Sequence, residues 1–276
     1  MKKTGLLIVG IVMVLCIVAV CLKIKQKDDE IKENLPSEQV VKSENEIETI
    51  TIKLDGCDIK LNKIEAGSFK MGSCEGIGEE DELPVRDVEI TKDFYIGTYE
   101  ITQAQWEAVM GENPSTFKDS NYPVETITWH QANEFCKKLS EISGYNVSLP
   151  TEAQWEYACR AGSETKWFFG DDESKFSEYG EDDIDAKTHA VGQFKPNGNG
   201  LYDMYGNVME WCLDYYSSEY LEDDVTDPKG PKEGEAKVSR GGGWGGSPDL
   251  CRSGYRNACG ENDATDGIGF RIVVNP

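Results

Sequence analysis

The segment GLYDMYGNVMEW, residues 200–211, most constrains how this chain can fold. Gly200 and Gly206 interrupt helix and strand alike, because a residue without Cβ takes turns that others resist. Asp203 and Glu210 carry hard carboxylate oxygens, and the carbonyls of the loop lie between them. Calcium favours such a cage, with roughly six to eight oxygens drawn from side chains, backbone and water. A solvated acidic loop with Trp211 anchored in the core accounts for the same residues. The segment alone leaves both readings open.

Residues 5–22 form an uncharged apolar run, with Lys2 and Lys3 before it and Lys23, Lys25 and Lys27 after it. The run is long enough to span a bilayer with little tilt. It lacks an evident small-x-small cleavage site, so residues 1–22 are expected to be an uncleaved signal-anchor rather than a removed signal peptide. Val20 before Cys21 argues against a lipoprotein signal. Residues 23–48 are rich in Lys, Glu, Asp and Ser and lack aromatics, which predicts a flexible spacer. All six tryptophans and all twelve tyrosines fall in residues 49–276, expected to form one domain. The net charge of -23 excludes a nucleic-acid partner, whose phosphates demand a cationic face. Acid clusters at 79–82, 171–173, 181–185 and 222–224 are expected on solvated surface loops.

The domain reads as mixed. Ile50, Ile52 and Leu54 alternate before Asp55-Gly56, and Ile59 and Leu61 follow, which predicts a hairpin about a tight turn. Residues 102–110 predict a short helix capped by Thr102 with Trp106, Val109 and Met110 on one face. Residues 128–140 space Trp129, Ala132, Phe135, Cys136 and Leu139 as an amphipathic helix. Thr151 and Gln154 form a capping box for a third helix that buries Trp155 and Ala158. From Trp167 onward loops, glycine and short strands are expected.

Together with YEITQAQW (99–106), PVETITWHQANEFCKKLS (123–140), SLPTEAQWEYACRAG (148–162), RGGGW (240–244), CRSGYR (251–256) and GIGFRIV (267–273), the opening segment resembles the formylglycine-generating enzyme, or sulfatase-modifying factor, family. The ordered set covers residues 60 to 276. The resemblance implies an irregular, loop-rich α+β fold related to C-type lectins, placed outside the cytoplasm on its membrane anchor. It implies a calcium site made of the Asp203 and Glu210 side chains and the Gly206 and Val208 carbonyls. It also implies an oxidase that converts a sulfatase cysteine to formylglycine with oxygen and copper. Its copper site is a cysteine pair with four residues between, after a Gly-Gly-Ser turn, since two thiolates suit Cu(I). Here the second cysteine falls on Cys251, the first on Gly246 and the serine on Gly243.

The incomplete pair favours a non-catalytic, calcium-stabilised recognition module over an oxidase that uses Cys251 and an unconventional second ligand. Trp244, Arg252, Tyr255 and Arg256 are the expected contacts for a peptide, protein or glycan, since aromatics and arginine are enriched at such surfaces. A packing role for the aromatics and a bracing role for the arginines stand as the alternative. A sulfatase is the partner under the oxidase reading. The resemblance also places Cys159 at a family disulfide position, with Cys259 as the nearest partner, whereas Cys136 reads as a buried apolar residue. His130 and His189 are the only histidines, too few for the three-histidine iron site of another branch, and read as packing or hydrogen-bonding residues. Ser247 and Ser253 lack a serine-hydrolase context, and the 241–243 glycines lack that of a phosphate loop.

Overall fold

The structure, a computed structural model, describes residues 47–74, 76–181, 187–220 and 225–276. The expected anchor, most of the spacer, all but Glu181 of the 181–185 acid cluster and the whole 222–224 cluster lie outside the described residues. Among the described residues no helix is long and apolar enough to cross a membrane.

The first hairpin forms as its alternation predicts. β1 (Thr49–Ile52) pairs antiparallel with β2 (Ile59–Ile64), Ile52 opposite Ile59. The connection is longer than a tight turn. Asp55 and Gly56 bend the chain outside the ladder, where the Cys57 amide donates to the Leu54 carbonyl and Gly56 takes a φ of 77°. β3 (Gly67–Met71) and β4 (Arg86–Ile90) make a separate two-stranded ribbon. β5 (Phe94–Gly97) then returns to pair with β2.

Three helices follow, each opened by a threonine whose hydroxyl accepts the amide three residues on while a glutamine reaches back to the threonine amide. α1 (Gln103–Met110) starts at Thr102, α2 (Trp129–Ser143) at Thr128 and α3 (Glu152–Arg160) at Thr151. Left-handed Gly111 and Gly144 end the first two. Ala132, Phe135, Cys136 and Leu139 are buried along α2, and Trp106 of α1 stacks on Phe135 at 5.5 Å between ring centres. Trp155 and Ala158 of α3 are fully buried, as their spacing predicts.

β6 (Val147–Ser148) and β11 (Val273–Val274) complete a five-stranded antiparallel sheet in the order β1-β2-β5-β11-β6. β7 (Met209–Tyr215), β8 (Lys237–Arg240), β9 (Asn257–Cys259) and β10 (Ile268–Gly269) form a second sheet ordered β10-β7-β8-β9. Long loops fill the remainder, and aromatic residues pin them: Trp167, Phe168, Phe169, Phe176, Tyr179 and Tyr205 contact one another in a single cluster. One acid cluster departs from the solvated role expected of it. Glu82 is fully buried, because Arg252 donates to its carboxylate at 2.7 Å.

Candidate functional site

The 200–211 segment becomes a coiled loop that ends in β7. Asp203 and Asn207 both adopt φ of 55°, a left-handed conformation that disfavours a Cβ, and Gly206 between them sits at 88°. Side-chain hydrogen bonds hold the two strained residues. Asp203 Oδ2 accepts the Gly192 amide at 2.5 Å, and Asn207 Oδ1 accepts the His189 amide at 3.0 Å. Asn207 Nδ2 donates to Glu100 Oε2 at 2.7 Å, and the Val208 amide donates to Glu100 Oε1 at 3.2 Å. The loop therefore lies between the 188–192 segment and the residue that opens YEITQAQW.

Glu210 leaves the loop at the start of β7 and meets Arg271. Arg271 Nε donates to Oε2 at 2.6 Å and Nη2 to Oε1 at 2.7 Å, while Trp155 Nε1 donates to Oε2 at 2.7 Å. Arg271 also donates to the carbonyls of Gly97 and Tyr202, which locks its fork in place. Glu100, Asp203, Glu210 and Arg271 are all buried, so three carboxylates share one guanidinium. Burial, and then the Asp203 and Glu210 charges, push the Glu100 carboxyl well above the usual carboxylate range. Burial raises Asp203 as well. Asp203 Oδ1 is buried and has no hydrogen-bond partner among the described residues.

These observations bear on the calcium set that the sequence implies. Asp203 has one carboxylate oxygen without a hydrogen-bond partner among the described residues, the group of the set most open to a cation. Glu210 suits it less openly: Oε2 already accepts two donors, and only the second lone pair of Oε1 remains. Asp203 Oδ1 is the one side-chain acceptor of the set left wholly open to a cation, and among the described residues no three His, Cys, Asp or Glu side chains are grouped to hold a metal ion. Glu100 and Arg271 went unassigned in the sequence although both lie inside quoted motifs; an acid and an arginine 171 positions apart carry no spacing signal.

The 240–251 turn is adjacent and built differently. The Gly206 amide donates to the Gly241 carbonyl at 2.9 Å, and the Trp244 amide to the Asn207 carbonyl at 2.8 Å. Cys251 closes a short 3-10 turn, Pro248–Cys251, and is fully buried. A Cβ added at Gly242 would stand 2.3 Å from its Sγ, so the thiol is packed directly against the glycine backbone. Burial pushes the Cys251 thiol up to about 12. Gly246 occupies the other cysteine's position and has no side-chain ligand. The two-thiolate copper set is not assembled from these residues.

Among the described residues all seven cysteines are free thiols. Cys159 and Cys259, the expected bridge, are both unbonded thiols. The Cys159 thiol is directed to Ser253 Oγ at 3.8 Å, whereas the Cys259 thiol meets Ser239 Oγ at 3.4 Å and Asn257 Nδ2 at 2.9 Å on the β8–β9 face. Cys136 is buried in the helix core, as expected.

The four residues expected at a recognition surface divide. Trp244 is half-buried, its indole donating to the Asp266 carbonyl at 2.9 Å and its ring edge-on to Phe117; Tyr255 is half-buried as well. Arg252 and Arg256 are buried, contrary to that expectation. Arg252 pairs with Glu82, and Arg256 donates to both Glu152 oxygens at 2.6 and 3.0 Å. Arg240 joins them by pairing with Glu156, which also accepts from Arg160. These guanidiniums brace α3 and the 72–82 loop. Leu250, which the sequence reading passed over, is 42% exposed next to this turn.

A family model described as "Sulfatase-modifying factor enzyme 1-like domain" matches residues 60–276. The chain is 29% identical over 263 residues to the protein named chaperone protein LppX of Paenibacillus barcinonensis, a match covering 76% of this chain and 87% of that one. It is 32% identical over 193 residues to the formylglycine-generating enzyme of Mus musculus, covering 62% of this chain and 49% of the enzyme. The chain thus spans about half the length of that enzyme. Among solved structures, Treponema denticola variable protein 1 superposes with a TM-score of 0.77 at 29% identity, covering 83% of this chain and 99% of the other.

Proposed function

The chain belongs to the sulfatase-modifying factor enzyme 1-like family, and we propose that it is a non-catalytic member: a membrane-tethered, extracytoplasmic recognition module for a peptide, protein or glycan. The observation that carries this reading is the state of Cys251. It is fully buried against the Gly242 backbone, and its expected partner position is Gly246. Copper would supply the oxygen chemistry in a catalytic relative; here one thiol faces a glycine backbone.

What remains at the turn suits binding. Trp244, Leu250 and Tyr255 put apolar and aromatic surface beside a backbone held by the Arg240, Arg252 and Arg256 ion pairs. A rigid frame around a few aromatic groups is a common form of recognition site. The run at residues 5–22 would supply the tether. A calcium ion at Asp203, completed by the Gly206 and Val208 carbonyls and the open lone pair of Glu210, would fix the loop on which the turn rests.

Cu(I) titration of the reduced protein against a chromophoric competitor tests the reading. The expected result is no copper binding that depends on Cys251, with Cys251→Ala matching the parent. Stoichiometric Cu(I) lost in Cys251→Ala would instead support an oxidase with a sulfatase as its partner.

A further inference from the structure

The cysteine turn carries an aromatic patch whose charge is unbalanced. Trp244 and Phe117 are both half-buried and meet edge-on at 5.5 Å between ring centres, and Leu250 is 42% exposed. A Cβ at Gly246 would meet only the Gly243 backbone and, at 4.0 Å, the Leu250 Cβ, so backbone without side chains separates Leu250 from Trp244. Each ring of the pair is tied to an acidic residue. The Trp244 indole donates to the Asp266 carbonyl at 2.9 Å, and the Phe117 amide donates to Glu125 Oε1 at 2.8 Å. Glu82, Glu152 and Glu156 each pair with an arginine around the turn, whereas among the described residues no cation pairs with Glu125 or Asp266. Glu125 is 0% exposed, and its other oxygen accepts the Thr126 hydroxyl. Burial, with the Asp266 charge adding to it, raises the Glu125 carboxyl, so the two acids lie within electrostatic reach of each other. Thr126 has a φ of 58°, which β-branched residues rarely adopt. Its amide donates to the Thr265 carbonyl at 3.0 Å and fastens the Glu125 loop to the residue before Asp266. Lys118, next to Phe117 in the chain, donates to the Asn113 carbonyl at 2.7 Å.

Two carboxyl groups without a counter-ion, beside an accessible aromatic pair, are complementary to a positive side chain. Carboxylate and ring face both attract a guanidinium or ammonium group, and the net charge of -23 draws such a group in. A glycan hydroxyl would leave the charge unmet, and an acidic partner would be repelled. We infer that the recognition surface takes a peptide segment bearing arginine or lysine, its cation between Asp266 and the Trp244–Phe117 pair and an apolar residue against Leu250. The inference rests on the recognition reading of this turn and names the class of its partner.

Fluorescence anisotropy of the labelled peptide Gly-Phe-Arg-Gly-Phe-Arg-Gly with the full chain tests this. The comparison peptide has citrulline for each arginine, which keeps the shape and removes the charge. The arginine peptide is expected to bind about tenfold more tightly, the effect of one close charge pair, and the difference shrinks as salt is added. Asp266→Asn, which leaves the carbonyl that holds Trp244, abolishes the difference, and Trp244→Ala weakens both peptides. The net charge alone would attract a basic peptide to any face. Glu141→Gln therefore serves as the control: it removes an exposed acid of α2, about 18 Å along the helix from Trp129, and leaves binding unchanged. A loss in Glu141→Gln equal to that in Asp266→Asn, or no binding of either peptide, overturns the inference. Equal binding of both peptides that still falls in Trp244→Ala overturns it too, but leaves the recognition surface standing. Binding that is the same in parent, Asp266→Asn and Trp244→Ala overturns both the inference and the recognition reading of the turn.

Discussion

The 203–210 loop and the 240–251 turn touch through two backbone hydrogen bonds, yet they treat charge in opposite ways. Around the turn each arginine is ion-paired, Arg240 with Glu156, Arg252 with Glu82 and Arg256 with Glu152, although Arg240 Nε makes no hydrogen bond among the described residues. At the loop three buried carboxylates share Arg271, and Asp203 Oδ1, His189 Nε2 and Thr188 Oγ1 have no partner among the described residues. A matched buried network specifies a shape. At the loop, buried polar atoms are left unmet by the described residues. The difference teaches that the arginines fix the turn as a frame, whereas the loop keeps polar capacity that its own neighbours do not use.

The largest effect separating the two regions is expected at Arg271. Arg271→Ala leaves Glu210 without its counter-charge beside Glu100 and Asp203, and breaking a buried pair costs about 3–5 kcal/mol. Urea denaturation measures the loss, and adding Glu210→Gln restores part of it. No recovery in the double variant would mean that the surplus charge is not the cause.

Next comes pH. Burial, and then the Glu152 charge, raise Asp214 from its usual 3.8 to about 7. Its carboxylate also accepts the Glu152 amide at 2.8 Å. The native state holds a proton that the unfolded chain releases, so this group's contribution is complete below about pH 4 and is lost as pH rises through about 7. The loss is on the order of 4 kcal/mol. Thermal midpoints against pH, compared between parent and Asp214→Asn, isolate it. The parent falls more steeply between those limits, and parallel curves would contradict the assignment.

Gly242→Ala probes the turn's packing. The new methyl meets Cys251 Sγ and holds a φ of 71° that side chains resist, for a cost of about 1–3 kcal/mol. Cys251→Ala in the same chain removes the contact but not the strained φ, so thermal denaturation should show partial recovery. The smallest effect lies outside both regions: Thr128→Ala removes a helix cap for about 1 kcal/mol, while Thr128→Ser retains most of it. A cation-dependent difference between these two cap variants would mean that the loop's influence is not local.

Legibility in the sequence followed the range of the interaction. The capping boxes at Thr102, Thr128 and Thr151 and the buried face of α2 obey rules spanning a few residues, and each was readable. Gly246 in place of a cysteine was readable because the motif fixes its position. The partners of Arg252 and Arg256 were not, since Glu82 and Glu152 lie 170 and 104 residues away, and a buried brace looks the same in sequence as an exposed contact. Glu100 and Arg271 escaped for the same reason. His189 takes the packing and hydrogen-bonding role its isolation in the sequence implies, against Phe194, the Ala190 carbonyl and Asn207.

The most direct test of the central claim is mass spectrometry of a Cys-x-Pro-x-Arg peptide incubated with the folded protein, Cu(I), oxygen and a thiol reductant, with Cys251→Ala as control. The account predicts no formylglycine in either sample while the protein still binds its cation. Conversion that disappears in Cys251→Ala would contradict it and make the buried thiol of the turn a catalytic group.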